Sequence, residues 1–181
     1  MTTELNFIGI TPFEPSDSFL KKLENFFNEQ DGALIVRVAE EYFSKEFKED
    51  ILSISKKNQS TVIFNSKNII QNNLNIHLTA KDLMSCKEKP NKGFLLGASC
   101  HDLSEIEKAN ALECDYILIS PVLMEKYGNR EIGWKGFEMM ATLFNGPSYA
   151  LGGMQLSDRE IAVKHYGKGI AGIRCFFGSE V

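Results

Sequence analysis

The sequence predicts an α/β protein, a compact (β/α)8 (TIM) barrel with a short third helix and a last helix that is nearly absent. Short apolar segments alternate with stretches of helical periodicity, and this alternation is typical of a parallel sheet. Eight apolar segments favour a closed barrel over an open doubly wound sheet. Because no linker, repeat or low-complexity tract interrupts the pattern, we expect one domain over residues 1–181.

The predicted strands are short and bounded by turn-forming residues. They cover residues 5–10, 33–38, 61–64, 76–78, 93–99, 115–120, 148–153 and 169–174.

Helical periodicity fills most of the intervals between these strands. It is clearest in residues 16–30, 104–113, 133–144 and 157–167, whereas residues 68–74 allow only a turn or two. The first helix is expected to begin at Ser16 or Asp17. Ser104 precedes Glu107 by three residues, the spacing of a capping box. Gly167 is expected to end the last long helix.

The chain is short for a barrel of this type. Barrels of this type typically need about 250 residues, and here only CFFGSEV follows the last strand. Without a full last helix, apolar barrel surface is exposed at the seam. We therefore expect either a homo-oligomer or another covering element there.

Composition excludes several classes of protein. The net charge of −4 and a pI near 5.5 argue against a nucleic-acid surface. No apolar stretch approaches the roughly 20 residues of a membrane span, and residues 1–10 lack the pattern of a signal peptide. The four cysteines show no C-x-x-C pairing and are expected to be free buried thiols. These observations together predict a cytoplasmic protein.

Polar residues cluster where the strands end, which is where such barrels carry their active sites. Gly97, Ser99 and His101 lie two residues apart, so they share one side of the fifth strand, and if Ser99 points into the barrel mouth, His101 does too. His77 and His165 look structural or exposed. The remaining members of this polar ring are Arg37, Asn65, Asp82, Ser120, Gly152, Gly153 and Arg174.

Members of this ring also have structural alternatives. Arg37 fits a core arginine paired with a glutamate, and Asn65 begins a turn-like string, NSKN. Asp82 fits the N-cap of a short helix. His101 fits a helix cap or a hydrogen bond to a carbonyl.

The sequence ALGGM indicates a binding site more specifically than the single polar residues of the ring do. Gly152 and Gly153 follow the seventh strand and precede a helix, so backbone N–H groups can approach an anion closely. Barrels often bind phosphate at the loops after the seventh and eighth strands. Ile173 and Arg174, at the end of the eighth strand, complete a predicted phosphate site.

Several motifs in order resemble the thiamin phosphate synthase/TenI family. They are NIHLTAKDL, GFLLGASCHDLSEIEKANALECDYILISPV, IGWKGF, YALGGM and GIAGIRCFF. The resemblance is clear over about residues 61–177, and it extends to the synthase-like domain fused to some bacterial Nudix hydrolases. It implies a (β/α)8 barrel that binds thiazole phosphate. One branch couples this ligand to a pyrimidine pyrophosphate with magnesium; the TenI branch isomerises a thiazole carboxylate phosphate with a histidine.

The resemblance transfers roles to individual residues. Ser99 and His101 match the Ser-x-His of the family, and Asp82 matches its second magnesium aspartate. The substrate- and phosphate-binding positions that match are Arg37, Asn65, Gly152 and Gly153.

Other positions depart from the synthase pattern. Ile35 and Ala39 replace a glutamine and a lysine, and Ser66 and Lys67 replace the two aspartates of Asn-Asp-Asp. Arg174 stands at a serine position, and the loop Pro-Thr-x-Thr-Lys is replaced by the shorter MEKYGNRE. The cations that remain as substitutes are Lys67, Lys126 and Arg130.

These departures favour the TenI branch. A departing pyrophosphate needs magnesium and lysines, whereas tautomerisation needs an anion cradle and one group that titrates near neutral pH. We therefore expect a thiazole tautomerase, if an enzyme, with His101 and Ser99 as catalytic residues and no cofactor. The alternatives are an altered synthase, which would use Mg at Asp82, and a non-catalytic ligand-binding or regulatory protein. In each case the expected ligand is a small phosphorylated heterocycle.

Overall fold

The computed structural model describes residues 5–68, 73–90, 93–124 and 130–178. Its eight parallel strands pair in sequence order, and β8 pairs with β1, so the sheet closes into the predicted barrel. The strands are β1 Phe7–Ile10, β2 Gly32–Val36, β3 Thr61–Asn65, β4 Ile76–Leu78, β5 Leu96–Cys100, β6 Tyr116–Ile119, β7 Ser148–Leu151 and β8 Gly169–Gly172.

Seven α-helices surround this barrel in the described part of the chain. They are α1 Phe19–Glu29, α2 Lys45–Lys57, α3 Ala80–Ser85, α4 Leu103–Ala111, α5 Gly133–Ala141, α6 Asp158–Lys164 and α7 Arg174–Phe177. After β3 the structure shows a 3-10 turn over Ser66–Asn68, and most of the short helix expected over residues 68–74 lies outside the described residues. None of the described helices is long and apolar enough to cross a membrane.

Several helix ends differ from those predicted. The N-cap of α1 is Ser18 rather than Ser16 or Asp17. The N-cap of α4 is Asp102, whose carboxylate accepts the Glu105 amide hydrogen at 3.0 Å, so the helix begins before the predicted capping box. At the end of α6 the left-handed conformation falls on Tyr166, with φ of 65°, and not on Gly167.

Two faces of each strand bury different sets of side chains. Alternate strand residues fill the barrel interior, and they include Ile8, Ile35, Tyr116, Leu118 and Tyr149. The intervening residues pack outward against the helices in two larger clusters. This alternation is why one residue of every pair near a strand end faces the mouth.

The seam is covered by aromatic side chains of the short last helix itself. Phe177 of α7 is 2% exposed and packs edge-on against Phe19 at 5.2 Å between ring centroids. Phe176 contacts Phe26 in the same way at 4.9 Å. Two aromatic rings on one helical turn thus cover surface that a longer helix usually covers, and the homo-oligomer stays a prediction.

The cysteines are all free, as predicted. Cys100 and Cys114 are buried, and burial raises the pKa of Cys114 to about 12. Cys86 and Cys175 are only half-buried, which differs from the expectation of four buried thiols.

Candidate functional site

The carboxyl ends of the strands surround two adjoining cavities. The first, which we call the ring cavity, has a volume of about 200 Å³. The second, the glycine cavity, has a volume of about 360 Å³ and shares Leu151 and Ile173 with the first. The predicted site residues that line the ring cavity are Arg37, Asn65, Ser99, His101, Ser120 and Ile173. Those that line the glycine cavity are Gly152, Gly153, Ile173 and Arg174.

Both cavities are electropositive by composition. The charged side chains on their described walls are Arg37 and Lys67 in the ring cavity and Arg174 in the glycine cavity, and no carboxylate lines either of them in the part of the chain that is described. An anion placed here meets cations without competing acids. The two adjoining cavities therefore suit a small ligand with an anionic group.

His101 lies at the rim of the ring cavity, as predicted. Its Nδ1 is 2.8 Å from the carbonyl oxygen of Ser120, and a carbonyl only accepts hydrogen bonds. Nδ1 therefore carries a hydrogen, and Nε2, which bears a lone pair when the ring is neutral, has no hydrogen-bond partner among the described residues. The backbone amide of His101 donates to the Glu105 carboxylate, which fixes the backbone where α4 begins.

The predicted alternative for His101, a hydrogen bond to a carbonyl, thus exists alongside its place at the cavity. One nitrogen is used for orientation and the other is free for chemistry, an arrangement common in general acid–base catalysis.

His77 is the residue that sequence reasoning missed. It is 2% exposed, lines the ring cavity, and lies 2.9 Å through Nε2 from Ser99 Oγ and 3.0 Å through Nδ1 from Tyr116 Oη. Burial, together with the charge of Arg37, lowers its pKa to about 3, so the ring is neutral at physiological pH. The available signal was its position between Ile76 and Leu78, which face outward and so turn His77 inward.

The glycine at position 97 is required by Tyr116, the hydrogen-bond partner of His77. A Cβ built on it would lie 2.0 Å from a ring carbon of Tyr116, so glycine makes room for that ring inside the barrel. Gly97 and Tyr116 are direct partners in the β5–β6 register. The Gly97, Ser99 and His101 series thus combines a packing residue with two residues that line the cavity.

Arg37 follows β2 directly and is half-buried. Its guanidinium lies 5.7 Å from the centroid of the Phe13 ring. Among the described residues it forms no ion pair, so no contact there supports the alternative of a core arginine paired with a glutamate. Its charge is available to a ligand in the ring cavity.

Asn65 combines the two roles predicted as alternatives. Its Oδ1 accepts the amide hydrogen of Lys67 at 3.1 Å, which fixes the turn after β3. The same buried side chain lines the ring cavity.

Asp82 is the third residue of α3, and the N-cap of that helix is Thr79 instead. One oxygen, Oδ2, accepts hydrogen bonds from Ser66 Oγ at 2.5 Å and from Thr79 Oγ1 at 2.7 Å. Magnesium is usually held by one or two carboxylates together with phosphates. No group of three or more His, Cys, Asp or Glu side chains in the described ranges is arranged to hold a metal. Asp82 lines neither cavity, and its Oδ2 is engaged by two hydroxyls, so magnesium at Asp82 stays a prediction.

The glycine cavity is formed by backbone that requires glycine. Gly152 has a φ of 103° and Gly153 a φ of 77°, and a Cβ on either would crowd the chain at 121–124. Within the described ranges the amides of Gly153 and Arg174 donate to no acceptor. Arg174 Nη2 lies 3.0 Å from Met124 Sδ, a weak acceptor that an anion would readily replace.

Of the proposed substitute cations, Lys67 lines the ring cavity. Arg130 is exposed and lines neither cavity. Lys126 lies outside the described residues.

Comparison with known proteins gives consistent matches. The sequence matches the family described as thiamine monophosphate synthase over residues 8–176. A protein of Aquifex aeolicus named putative thiamine-phosphate synthase 2 is 25% identical over 170 residues, which cover 88% of this chain and 90% of that protein.

Solved structures give the same result at the level of the fold. Thiamine phosphate pyrophosphorylase of Pyrococcus furiosus superposes with a TM-score of 0.74 at 18% identity, covering 98% of this chain and 90% of the other. The enzyme of the same name from Bacteroides thetaiotaomicron gives 0.66 at 19% identity, covering 98% and 87%. At these identities the likeness shows a shared barrel.

Proposed function

The chain belongs to the thiamine monophosphate synthase/TenI family of thiamin biosynthesis, and we propose that within this family it is a thiazole phosphate tautomerase. The observation that carries this proposal is the pairing of two cavities. One has glycine amides and an arginine suited to a phosphate, and the other has a histidine with a free Nε2. The ligand spans both cavities, with its phosphate in the glycine cavity and its ring in the ring cavity.

His101 moves the proton in this scheme. Nε2 takes a proton from a ring carbon, and the electrons of that C–H bond form a new ring double bond while an existing double bond of the ligand gives its electrons to a second ligand atom. The imidazolium then returns the proton to that second atom, which completes the isomerisation without net gain or loss. The Ser120 carbonyl, which accepts from Nδ1, stabilises the positive charge that the ring carries between the two steps.

The direct test is to incubate the protein with a thiazole carboxylate phosphate and follow the isomer ratio by NMR. Isomerisation that requires His101 supports the tautomerase. Binding of the ligand without turnover would instead assign the chain to the non-catalytic, ligand-binding alternative.

Synthase activity is expected to be absent or very weak. Ser66 stands at a metal-ligand position, Asp82 Oδ2 is already occupied, and Ala39 is buried where the family has a lysine. The chain thus lacks charge to stabilise a departing pyrophosphate, and we propose that it works without magnesium. The measurement is a magnesium-dependent coupling assay. Turnover of roughly 1 per second or more, the ordinary range of enzymes, would contradict this expectation.

Arg174→Gln is expected to weaken binding of thiazole phosphate by roughly 10- to 100-fold, since hydrogen bonds to charged groups contribute about 1.5–3 kcal/mol. Titration calorimetry with thiazole phosphate and with the thiazole alcohol measures the effect. The alcohol should bind both proteins equally.

Lys164→Gln is the matched control for Arg174→Gln, because it removes a positive charge from α6, and Lys164 lines neither cavity. An equal loss of thiazole phosphate affinity in both variants would indicate a general charge effect. It would contradict the placement of the phosphate in the glycine cavity.

A further inference from the structure

A buried chain of hydrogen bonds joins the barrel interior to the ring cavity. Tyr116 Oη, 3.0 Å from His77 Nδ1, begins it, and Ser99 Oγ, 2.9 Å from His77 Nε2, ends it. Tyr116 and His77 are 6% and 2% exposed, whereas Ser99 is half-buried on the wall of the ring cavity. The His77 and Tyr116 rings also stack, with centroids 5.6 Å apart.

The chain has two possible directions, because a neutral imidazole carries one N–H. The ring is neutral, since burial keeps its pKa far below physiological pH. In one direction Nδ1–H donates to the tyrosine oxygen and the serine hydroxyl donates to Nε2. In the other, the tyrosine O–H donates to Nδ1 and Nε2–H donates to the serine oxygen.

The first direction leaves a proton without a partner. Among the described residues, His77 Nδ1 is the hydrogen-bond partner of Tyr116 Oη and no second acceptor lies within reach. If His77 Nδ1 donated to Tyr116 Oη, the phenol hydrogen would be buried with no acceptor. An unpaired buried donor lowers the stability of the protein. The second direction satisfies every buried donor.

We infer that the chain runs from Tyr116 through His77 to Ser99, so that Ser99 is a fixed hydrogen-bond donor toward the ring cavity. The serine oxygen accepts from His77, and its own hydrogen is left for the ligand. His77 and Tyr116 are positioning residues that act through Ser99.

The inference adds a specificity rule, and this part rests on the proposed function, which places the ring in the cavity. A fixed donor selects a ring that presents a lone pair. In thiazole phosphate the ring nitrogen is the strong acceptor outside the phosphate. Ser99 therefore favours a thiazole with an unsubstituted nitrogen over a thiazolium, whose nitrogen has no lone pair.

The tautomer of His77 is the first test, and it needs neither substrate nor activity. In protein labelled with 15N-histidine, a two-bond 15N–1H correlation spectrum distinguishes protonated from bare ring nitrogens. We expect protonated Nε2 and bare Nδ1 for His77. The chain has three histidines, so the variants His101→Asn and His165→Gln assign the signals. A His77 protonated at Nδ1, or a mixture of tautomers, would overturn the direction.

The second test compares Tyr116→Phe with a matched control, Tyr149→Phe. Tyr149 is a buried tyrosine whose ring lies 6.1 Å from that of Tyr116, but its hydroxyl donates to the Leu5 carbonyl and does not contact His77. Tyr116→Phe should remove the donor to Nδ1 and thereby the single tautomer of His77. Tyr149→Phe should keep that tautomer.

Ligand binding provides the readout for the specificity rule. The wild-type protein and Tyr149→Phe should bind thiazole phosphate more tightly than its N-methyl thiazolium derivative. In Tyr116→Phe the ratio of the two affinities should fall by about 5- to 10-fold. An unchanged preference in Tyr116→Phe would overturn the rule. If neither ligand binds, the proposed function fails while the tautomer result still decides the direction of the chain.

Discussion

Replacing His101 by asparagine is expected to lower the rate of thiazole isomerisation by about 10²–10⁴-fold, the usual effect of removing a general acid–base group. Asparagine keeps an N–H close to the position of Nδ1, so the bond to the Ser120 carbonyl survives. What disappears is the titratable nitrogen. In the proposed binding mode the phosphate lies in the glycine cavity, so phosphate affinity should stay unchanged, and so should the melting temperature.

The measurements for His101→Asn are turnover and melting temperature on the same sample, with His165→Gln as the control. His165 Nδ1 lies 2.6 Å from Glu138 Oε2, and the residue lines neither cavity, so its loss should leave turnover intact. A destabilised His101→Asn with undiminished turnover would leave His101 only its structural bond to the Ser120 carbonyl and would leave the proposed tautomerase without its base.

Gly97→Ala is expected to destabilise the fold by about 1–3 kcal/mol, the cost of overpacking a filled core. The added Cβ would overlap the Tyr116 ring, whose carbon lies 2.0 Å from it, and the ring is surrounded inside the barrel. For a chain of this size the melting temperature should fall by roughly 2–10 °C. Because the ring must move, the chain to His77 and Ser99 is disturbed as well.

A double-mutant cycle separates this clash from other effects of alanine at position 97. Leucine at position 116 is shorter than tyrosine, so Gly97→Ala should cost much less in a Tyr116→Leu background. An equal cost in both backgrounds would show that the Tyr116 ring is not what requires glycine here.

The periodicity of apolar residues in the sequence was sufficient to predict the architecture. Eight apolar segments with helical stretches between them predict a closed parallel barrel, because the pattern of burial repeats with the geometry of each element. The same reasoning located the mouth: strand residues two apart face one side, so Ser99 and His101 share the ring cavity.

The N-cap residues of the helices were less predictable, because several neighbouring polar side chains can accept the same amide hydrogen. The spacing of Ser104 and Glu107 predicts a capping box, yet Asp102 caps α4, because either side chain can accept an amide hydrogen. In the same way Thr79 caps α3 in place of Asp82, whose carboxylate instead accepts two hydroxyls. Neighbouring polar residues compete for one cap, and tertiary contacts decide between them.

The amino-acid sequence by itself determined the barrel, the glycine loop after β7 and the position of His101, since each follows from local pattern, and the family resemblance added the departures from the synthase pattern. Only the tertiary structure brought together Tyr116, His77 and Ser99, and only it explained Gly97. These residues are separated by tens of positions in the chain, and their contacts depend on strand register and on the rotamers that a closed interior allows. No local periodicity encodes which side chains meet across a barrel, because that is set by packing all eight strands at once.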